Sequence, residues 1–406
     1  MKDYKRDIPQ LRFEEFTENW HKFRIEQISK VVTSGSRGWA GYYSDKGAKF
    51  IRMTNLDRNN IQLQLSDLKY VLLPTHSSEG QRTALEKGDI LISITAELGK
   101  IGIVPDRLGE AYINQHICLV RPNTTNVFPC FLALSLSTYE SHKRLNRLND
   151  SGAKSGLNLG SIKNFLIELP HISEQEKIAG FLDAIASHLS QLRRKHNLLQ
   201  TYKRGVMQKI FSQQIRFKQD DGSSFPDWEG KVLSKIFTES CIKGSGGDKA
   251  KKITVKLWGR GVFSKEGKGS ENTQYYIRKA GQFIYSKLDF LNCAFGVIPS
   301  ELDGFESTID LPCFDISKGY SPQFLLPRIM QKNFYKYFGD QADGSRKAKR
   351  IHADTFLSFK LQCPCLEEQE KIAGFLTTLD QKLENLEMQI ERVEKFKQGL
   401  LQKMFV

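Results

Sequence analysis

Apolar residues recur at alternating intervals of four and three at Ile372, Leu376, Leu379, Leu383, Leu386, Ile390 and Val393. This spacing predicts a helix with one apolar stripe and the period of a coiled-coil seam. Lys, Glu, Gln and Arg occupy the other faces, as a solvated surface requires. An earlier stripe runs through Ile178, Leu182, Ile185, Leu189, Leu192 and Leu199, with His196 where the later stripe has Ile390. That polar position either helps to fix register or is tolerated near the open end of the seam.

The two stripes belong to a repeat. EQEKIAGFL runs from Glu174 to Leu182 and again from Glu368 to Leu376, and the match extends without a gap: Pro170 with Pro364, Gly205 with Gly399, QKIF ending at Phe211 with QKMF ending at Phe405. The chain is therefore two tandem copies of one unit. Each helix is predicted to run about 35 residues, or about 50 Å at the rise of an α-helix. Pro170 blocks extension backwards, and Ser173 with Glu176 predicts a capping box at the first start; Glu367 replaces Ser173 in the second copy.

Before each helix lies a longer region that does not repeat. LRF (Leu11 to Phe13) and Trp20 open the first; IRF (Ile215 to Phe217) and FPDW (Phe225 to Trp228) open the second. Strand-like stretches in the first region are AKFIRMTNL from Ala48, KGDILISI from Lys87 and HICLVR from His116, with GIVP (Gly102 to Pro105) closing a hairpin-like segment. KAGQFIYSKLD from Lys279 and GVIP (Gly296 to Pro299) are the counterparts in the second. Helices are predicted near Phe128 to Leu148 and Pro322 to Phe338. The fold expected is α+β: two mixed domains, residues 1–170 and 214–364, each followed by a long helix, 171–213 and 365–406, the helices packing as an antiparallel coiled coil with pseudo-twofold symmetry.

Composition narrows the function. Apolar content of 39% and charged content of 26% are those of a soluble chain, and no apolar run is long enough to span a bilayer. MKDYKRDIPQLRF lacks the apolar core of a signal peptide, so a cytoplasmic location is expected. Seven Cys without CxxC pairs point to neither a disulfide framework nor a zinc site, and no metal site is expected. The formal net charge of +14, with a pI near 9.3, points to nucleic acid, where Lys and Arg neutralise phosphate. A membrane surface is the weaker reading, because the long helices carry mixed charge.

Catalytic motifs are not apparent. PDWEGK (Pro226 to Lys231) has the letters of a PD…ExK nuclease core, but its carboxylates are adjacent in sequence rather than on two neighbouring strands that converge on a metal. SGAKSG lacks the spacing of a phosphate-binding loop, and no methyltransferase tetrad is present. The candidates for DNA contact are basic and polar clusters. Lys154 and Lys163 belong to one Gly/Ser stretch, and Arg346, Lys347, Lys349 and Arg350 to its counterpart. The SGSRGW loop carries Arg37, KGSGGDKAKK carries Lys243 and Lys249, and Asn114 and Gln115 precede a strand. Arg37 suits guanine or a phosphate; Asn114 and Gln115 suit adenine or simply form a turn. FYKYF (Phe334 to Phe338) reads as a helix packing face rather than a base-stacking platform.

The duplicated PxxxEQEKIAGFL starts, the QKIF and QKMF ends and the RF…W openings around two dissimilar regions resemble the DNA-specificity (S) subunits of type I restriction-modification systems, over essentially the whole chain. The resemblance implies two target recognition domains, each reading half of a split DNA sequence, and two helices that set the spacer and dock two modification (methyltransferase) subunits. It also implies restriction (endonuclease and translocase) subunits. S-adenosylmethionine, ATP and Mg2+ would then serve the partner subunits, with no cofactor and no catalysis in this chain. A self-contained nuclease or methyltransferase, a coiled-coil assembly protein and an orphan specificity subunit are the rival readings.

Overall fold

The two apolar stripes fold as long helices, Ile172–Phe211 and Leu366–Lys403, of 40 and 38 residues, in a computed structural model that describes residues 8–74, 77–149, 156–340 and 350–406. Both exceed the expected length. The first begins two residues before the start that a Ser173 cap implies, which corrects the capping box: His171 accepts the amide of Glu174 on its carbonyl, and its Nδ1 lies 2.9 Å from the Ser173 hydroxyl. Ser173 is thus inside the first turn and does not cap it. Of the seam positions, Ile178, Leu182, Leu189, Leu192, Ile372, Leu376, Leu379 and Leu386 are buried. Ile185, His196, Leu199, Leu383, Ile390 and Val393 are half-buried.

The chain divides into two compact units, Met1–Arg194 with Glu387–Val406, and Lys195–Leu386. In the first unit the end of the second long helix closes the core: Leu400, Met404 and Phe405 pack with Trp20, Phe131, Ile178 and Leu182. Arg193 pairs with Glu394 at 2.6 Å. In the second unit Ile210 and Phe211, at the end of the first long helix, pack with Trp228, Phe324, Ile372 and Leu376, and Lys203 bonds to Asp380. Within each unit, therefore, the start of one helix lies beside the end of the other.

The two dissimilar regions share a sheet. In the first, Ser29–Ser34, Ile117–Pro122, Ile90–Ser93 and Ile101–Ile103 lie in that spatial order; in the second, Phe237–Glu239, Cys313–Ile316, Phe283–Tyr285 and Phe295–Val297 do. All neighbours are antiparallel. The GIVP and GVIP motifs each begin inside the edge strand of this sheet and carry the chain out of its hairpin. A two-stranded ribbon starts and ends each domain, His21–Arg24 with Leu166–Leu169 and Glu229–Val232 with Lys360–Cys363. A second sheet contains one parallel pair in each domain, Ala48–Ile51 beside Ala111–Ile113 and Lys252–Val255 beside Glu306–Ser307. Helices Pro129–Ser137 and Tyr139–Arg147, and Pro322–Ile329 and Lys332–Gly339, cover the predicted helical stretches. In the FYKYF run Phe334 and Tyr335 are buried, and Phe338 stacks on Phe359 at 4.3 Å, so it is a packing face.

The structure explains why EQEKIAGFL is duplicated. Arg12 donates from Nε and Nη2 to the two oxygens of Glu174 at 2.7 Å each, and the Trp20 indole donates to the same carboxylate at 3.3 Å. Arg216 reaches Glu368 at 3.2 and 2.8 Å, with Trp228 donating at 3.1 Å. Glu174 and Glu368 are almost fully buried, and burial makes such charge-assisted bonds obligatory. The next residue is bonded as tightly. Gln175 accepts from the Phe128 amide and donates to the carbonyls of Pro170 and Asn126, while Gln369 accepts from the Ser321 amide and donates to Pro364. Phe13 and Phe217 pack edge-on against Phe181 and Phe375. The opening segment of each domain and the start of the helix that follows it thus form one clasp, built twice.

Candidate nucleic-acid interface

In the first domain the SGSRGW loop follows the strand Ser29–Ser34. A Cβ on Gly35 would lie 2.4 Å from the Asn114 carbonyl carbon, so only glycine lets this loop rest on the turn at Asn114–His116. Ser36 donates its amide and hydroxyl to Glu79 at 2.9 and 2.8 Å, and Arg82 bridges Glu79 and the Ser36 hydroxyl. Partial burial works against the charge on Glu79, but the bonds from Arg82 and Ser36 prevail and hold its carboxyl below the usual range. Trp39 is buried. Arg37 therefore stands exposed between two fixed neighbours.

The Asn114 side chain closes its turn, accepting from the His116 amide at 3.1 Å, and Gln115 bonds to the ring of His116, which bonds to Thr95 at 2.7 Å. Beside Thr95 lie Gly156 and Leu157, where the chain leaves the 150–155 stretch. Arg37, Asn114 and Gln115, dispersed in sequence, are thus gathered on one rim. Lys154 lies outside the described residues. Lys163 ends the helix Leu159–Lys163 and is half-buried. Burial pushes the nearby Cys118 thiol up to about 12, and the Lys163 charge opposes that shift.

In the second domain the KGSGGDKAKK segment departs from the loop expected. Lys243–Gly246 is a strand paired with Gln274–Ile277, and Lys252–Val255 is a second strand. The glycines serve contacts inside the protein. A Cβ at Gly244 would meet the Glu306 carboxylate at 2.3 Å, and one at Gly247 the Ser270 carbonyl at 2.6 Å. Lys243 is exposed; Lys249 is exposed on the turn at the start of Lys252–Val255. Arg350 is exposed and lies 3.7 Å from Asp310. The neighbouring chain is tied down by Ile351 donating to Lys287 and Lys287 donating to Asp310, main chain to main chain. Arg346, Lys347 and Lys349 lie outside the described residues. PDWEGK is structural: Asp227 pairs with Arg216, Trp228 joins the clasp, and Glu229 bonds to Lys231.

Sequence reasoning missed Arg278. It is buried, yet donates to the Ser307 hydroxyl at 2.8 Å and to the carbonyls of Ser240 and Leu311, tying together three segments behind this rim. Burial lowers its pKa from the ordinary arginine value. Its only sequence signal was a charge directly after the strand Gln274–Ile277, which looks like any exposed strand end.

Two domains of one topology, each with a different polar rim and each locked to a long helix by the same clasp, define an internally repeated two-domain protein. The chain belongs to the type I restriction modification DNA specificity domain family, whose model matches residues 17–200 and 321–395; DNA target specificity in a type I restriction-modification system is its function. Across 95% of its length it is 23% identical to a putative type I restriction enzyme MjaX specificity subunit of Methanocaldococcus jannaschii, 93% of which is covered. Over half its length it is 27% identical to the type I restriction enzyme EcoBI specificity subunit of Escherichia coli, covering 44% of that protein. The fold is shared with the HsdS subunit from Thermoanaerobacter tengcongensis, with a TM-score of 0.55 at 16% identity over 95% of this chain and 96% of that one. It is also shared with the type I S subunit from M. genitalium, with a TM-score of 0.59 at 13% identity over 98% and 99%. Among the described residues no helix is long and apolar enough to cross a membrane.

Proposed function

We propose that each domain reads one half of a split duplex target, that the two long helices set the spacer between the halves, and that two methyltransferase subunits dock on the helices. In the first domain Arg37, Asn114 and Gln115, with Lys154 and Lys163, supply the contacts; in the second Lys243, Lys249, Arg346, Lys347, Lys349 and Arg350 do. Adenine methylation with S-adenosylmethionine, and cleavage with ATP and Mg2+, are supplied by modification and restriction subunits. The observation that carries this reading is the shared sheet order behind dissimilar rims: the scaffold repeats while the surface does not.

The test is sequencing of methylated adenine in a host free of its own adenine methylation. The chain is expressed with a candidate modification subunit, and each is also expressed alone. Methylation of a split motif only when both are present is the expected result. Methylation by this chain alone would overturn the division of labour. Affinity for duplex DNA should fall steeply with salt, and each wrong base pair in either half-site should cost about 1–3 kcal/mol.

A further inference from the structure

We propose that Trp258 is the aromatic contact of the second domain, stacking on a base of its half-site while Lys256 and Arg260 hold the flanking phosphates. This rests on the reading of that domain as a DNA reader and adds a residue that charge alone does not reveal. Trp20, Trp39 and Trp228 are buried and packed or bonded in the cores, whereas Trp258 is 59% exposed. Its backbone is left-handed, with φ 60° and ψ 34°, a conformation costly for a bulky side chain and one that persists only when its surroundings impose it.

The surroundings do impose it. Trp258 is in the short connection between the paired strands Lys252–Val255 and Val262–Lys265. Lys256 donates its amide to the Gly261 carbonyl at 2.9 Å, closing the loop, and Gly259 donates to the Cys293 carbonyl at 2.8 Å. A Cβ on Gly259 would lie 1.9 Å from the Met330 methyl, so the loop is pressed against that side chain. Its sequence neighbours Lys256, Leu257, Arg260 and Phe263 are exposed as well. The segment anchoring Gly259 also contains Lys287, whose main chain bonds Asp310 and Ile351, so one segment ties down both the Trp258 loop and the chain beside Arg350.

The first domain treats the same position differently. Its connection, residues 52–68, is longer and tied by a buried residue: Asn55 has its amide on the carbonyls of Gln64 and Asp67. An exposed indole on a fixed backbone, with a cation two residues to either side in sequence, matches the chemistry of a base between two phosphates, since stacking supplies sequence-tolerant affinity and the cations supply the salt-dependent part.

The test uses the full chain co-purified with its methyltransferase subunit and a labelled duplex carrying the motif that the wild-type complex methylates. Trp258→Gly suits the left-handed backbone, so its melting midpoint should be unchanged or raised. Its affinity for the duplex should fall about 5–150-fold with the slope of affinity against salt unchanged. Trp258→Phe should keep most of the affinity, and Lys256→Gln with Arg260→Gln should reduce the salt slope. Wild-type affinity in a folded Trp258→Gly complex overturns the inference, as does loss of the methyltransferase subunit in place of DNA. A wild-type complex that methylates no split motif defeats the underlying reading and the inference with it, which separates the two failures.

Discussion

Replacing Glu368 with Ala strands two donors at once, the Trp228 indole N–H and the Arg216 Nε–H. The Trp228 indole loses its acceptor inside a core, and Arg216 loses both of its bonds to Glu368 while keeping Asp227 and the carbonyls of Phe225 and Pro226. Removing one partner of a buried ion pair costs about 3–5 kcal/mol. The Arg216 side chain keeps 23% exposure, so water recovers part of that and the lower bound of about 3 kcal/mol applies. The buried indole N–H adds about 1–2 kcal/mol. The sum, about 4–5 kcal/mol, is comparable to the whole stability of a marginal domain. Glu368→Gln keeps one acceptor oxygen and should cost about half as much. Urea unfolding of the full chain gives the size, and hydrogen exchange read by mass spectrometry gives the place: protection should fall in Lys195–Leu386 and be kept in the other unit. Glu174→Ala should do the converse. A Glu368→Ala protein within about 0.5 kcal/mol of wild type, the range of an ordinary surface substitution, would refute the clasp.

Three further outcomes are expected. Burial pushes the thiols of Cys118, Cys293, Cys313 and Cys363 up to about 12, so at pH 8 a thiol reagent should label exposed Cys241 rapidly and these four only on unfolding; mass mapping of the labelled sites decides. Burial, with the Arg58 charge, lowers the His142 pKa below 6.5 in the folded state, so the unfolded chain binds more protons there and stability falls as pH drops through 6.5; His142→Asn should flatten unfolding free energy between pH 7 and 5. Deleting one helical turn from both long helices should alter or abolish the methylated spacer while leaving both half-sites the same, and an unchanged spacer at full activity would remove the helices as its ruler.

The repeat, the long helices and the GIVP and GVIP hairpins were legible because each leaves a local pattern in one stretch of chain. Their physical cause was not legible. Glu174 and Gln175 read as polar residues on a helix surface, yet both are buried, because their partners Arg12, Trp20 and Phe128 are brought to them by the fold. The Ser173 box was misplaced for a similar reason, since a histidine after Pro170 starts the helix in its stead. At the interface, the Gly-rich segments stood out as carriers of candidate DNA contacts, but what their glycines admit in the structure is the chain itself: Gly35 to Asn114, Gly244 to Glu306. Charge picked out Arg37 and Arg350; it had nothing to say about Trp258, whose signal is a backbone angle.

The first unit joins Met1–Arg194 to Glu387–Val406, whereas the second is one unbroken run, Lys195–Leu386. On the ribosome this reverses the usual succession. The segment made first must wait, its core lacking Leu400, Met404 and Phe405, while roughly 200 more residues are added, which takes roughly 10–40 s at common rates of synthesis. The second unit has all its residues sooner after its own start and can close without them. A nascent chain stalled before residue 387 would carry a finished second unit behind an unfinished first, so quality control that recognises exposed apolar surface would find its target at the amino-terminal side.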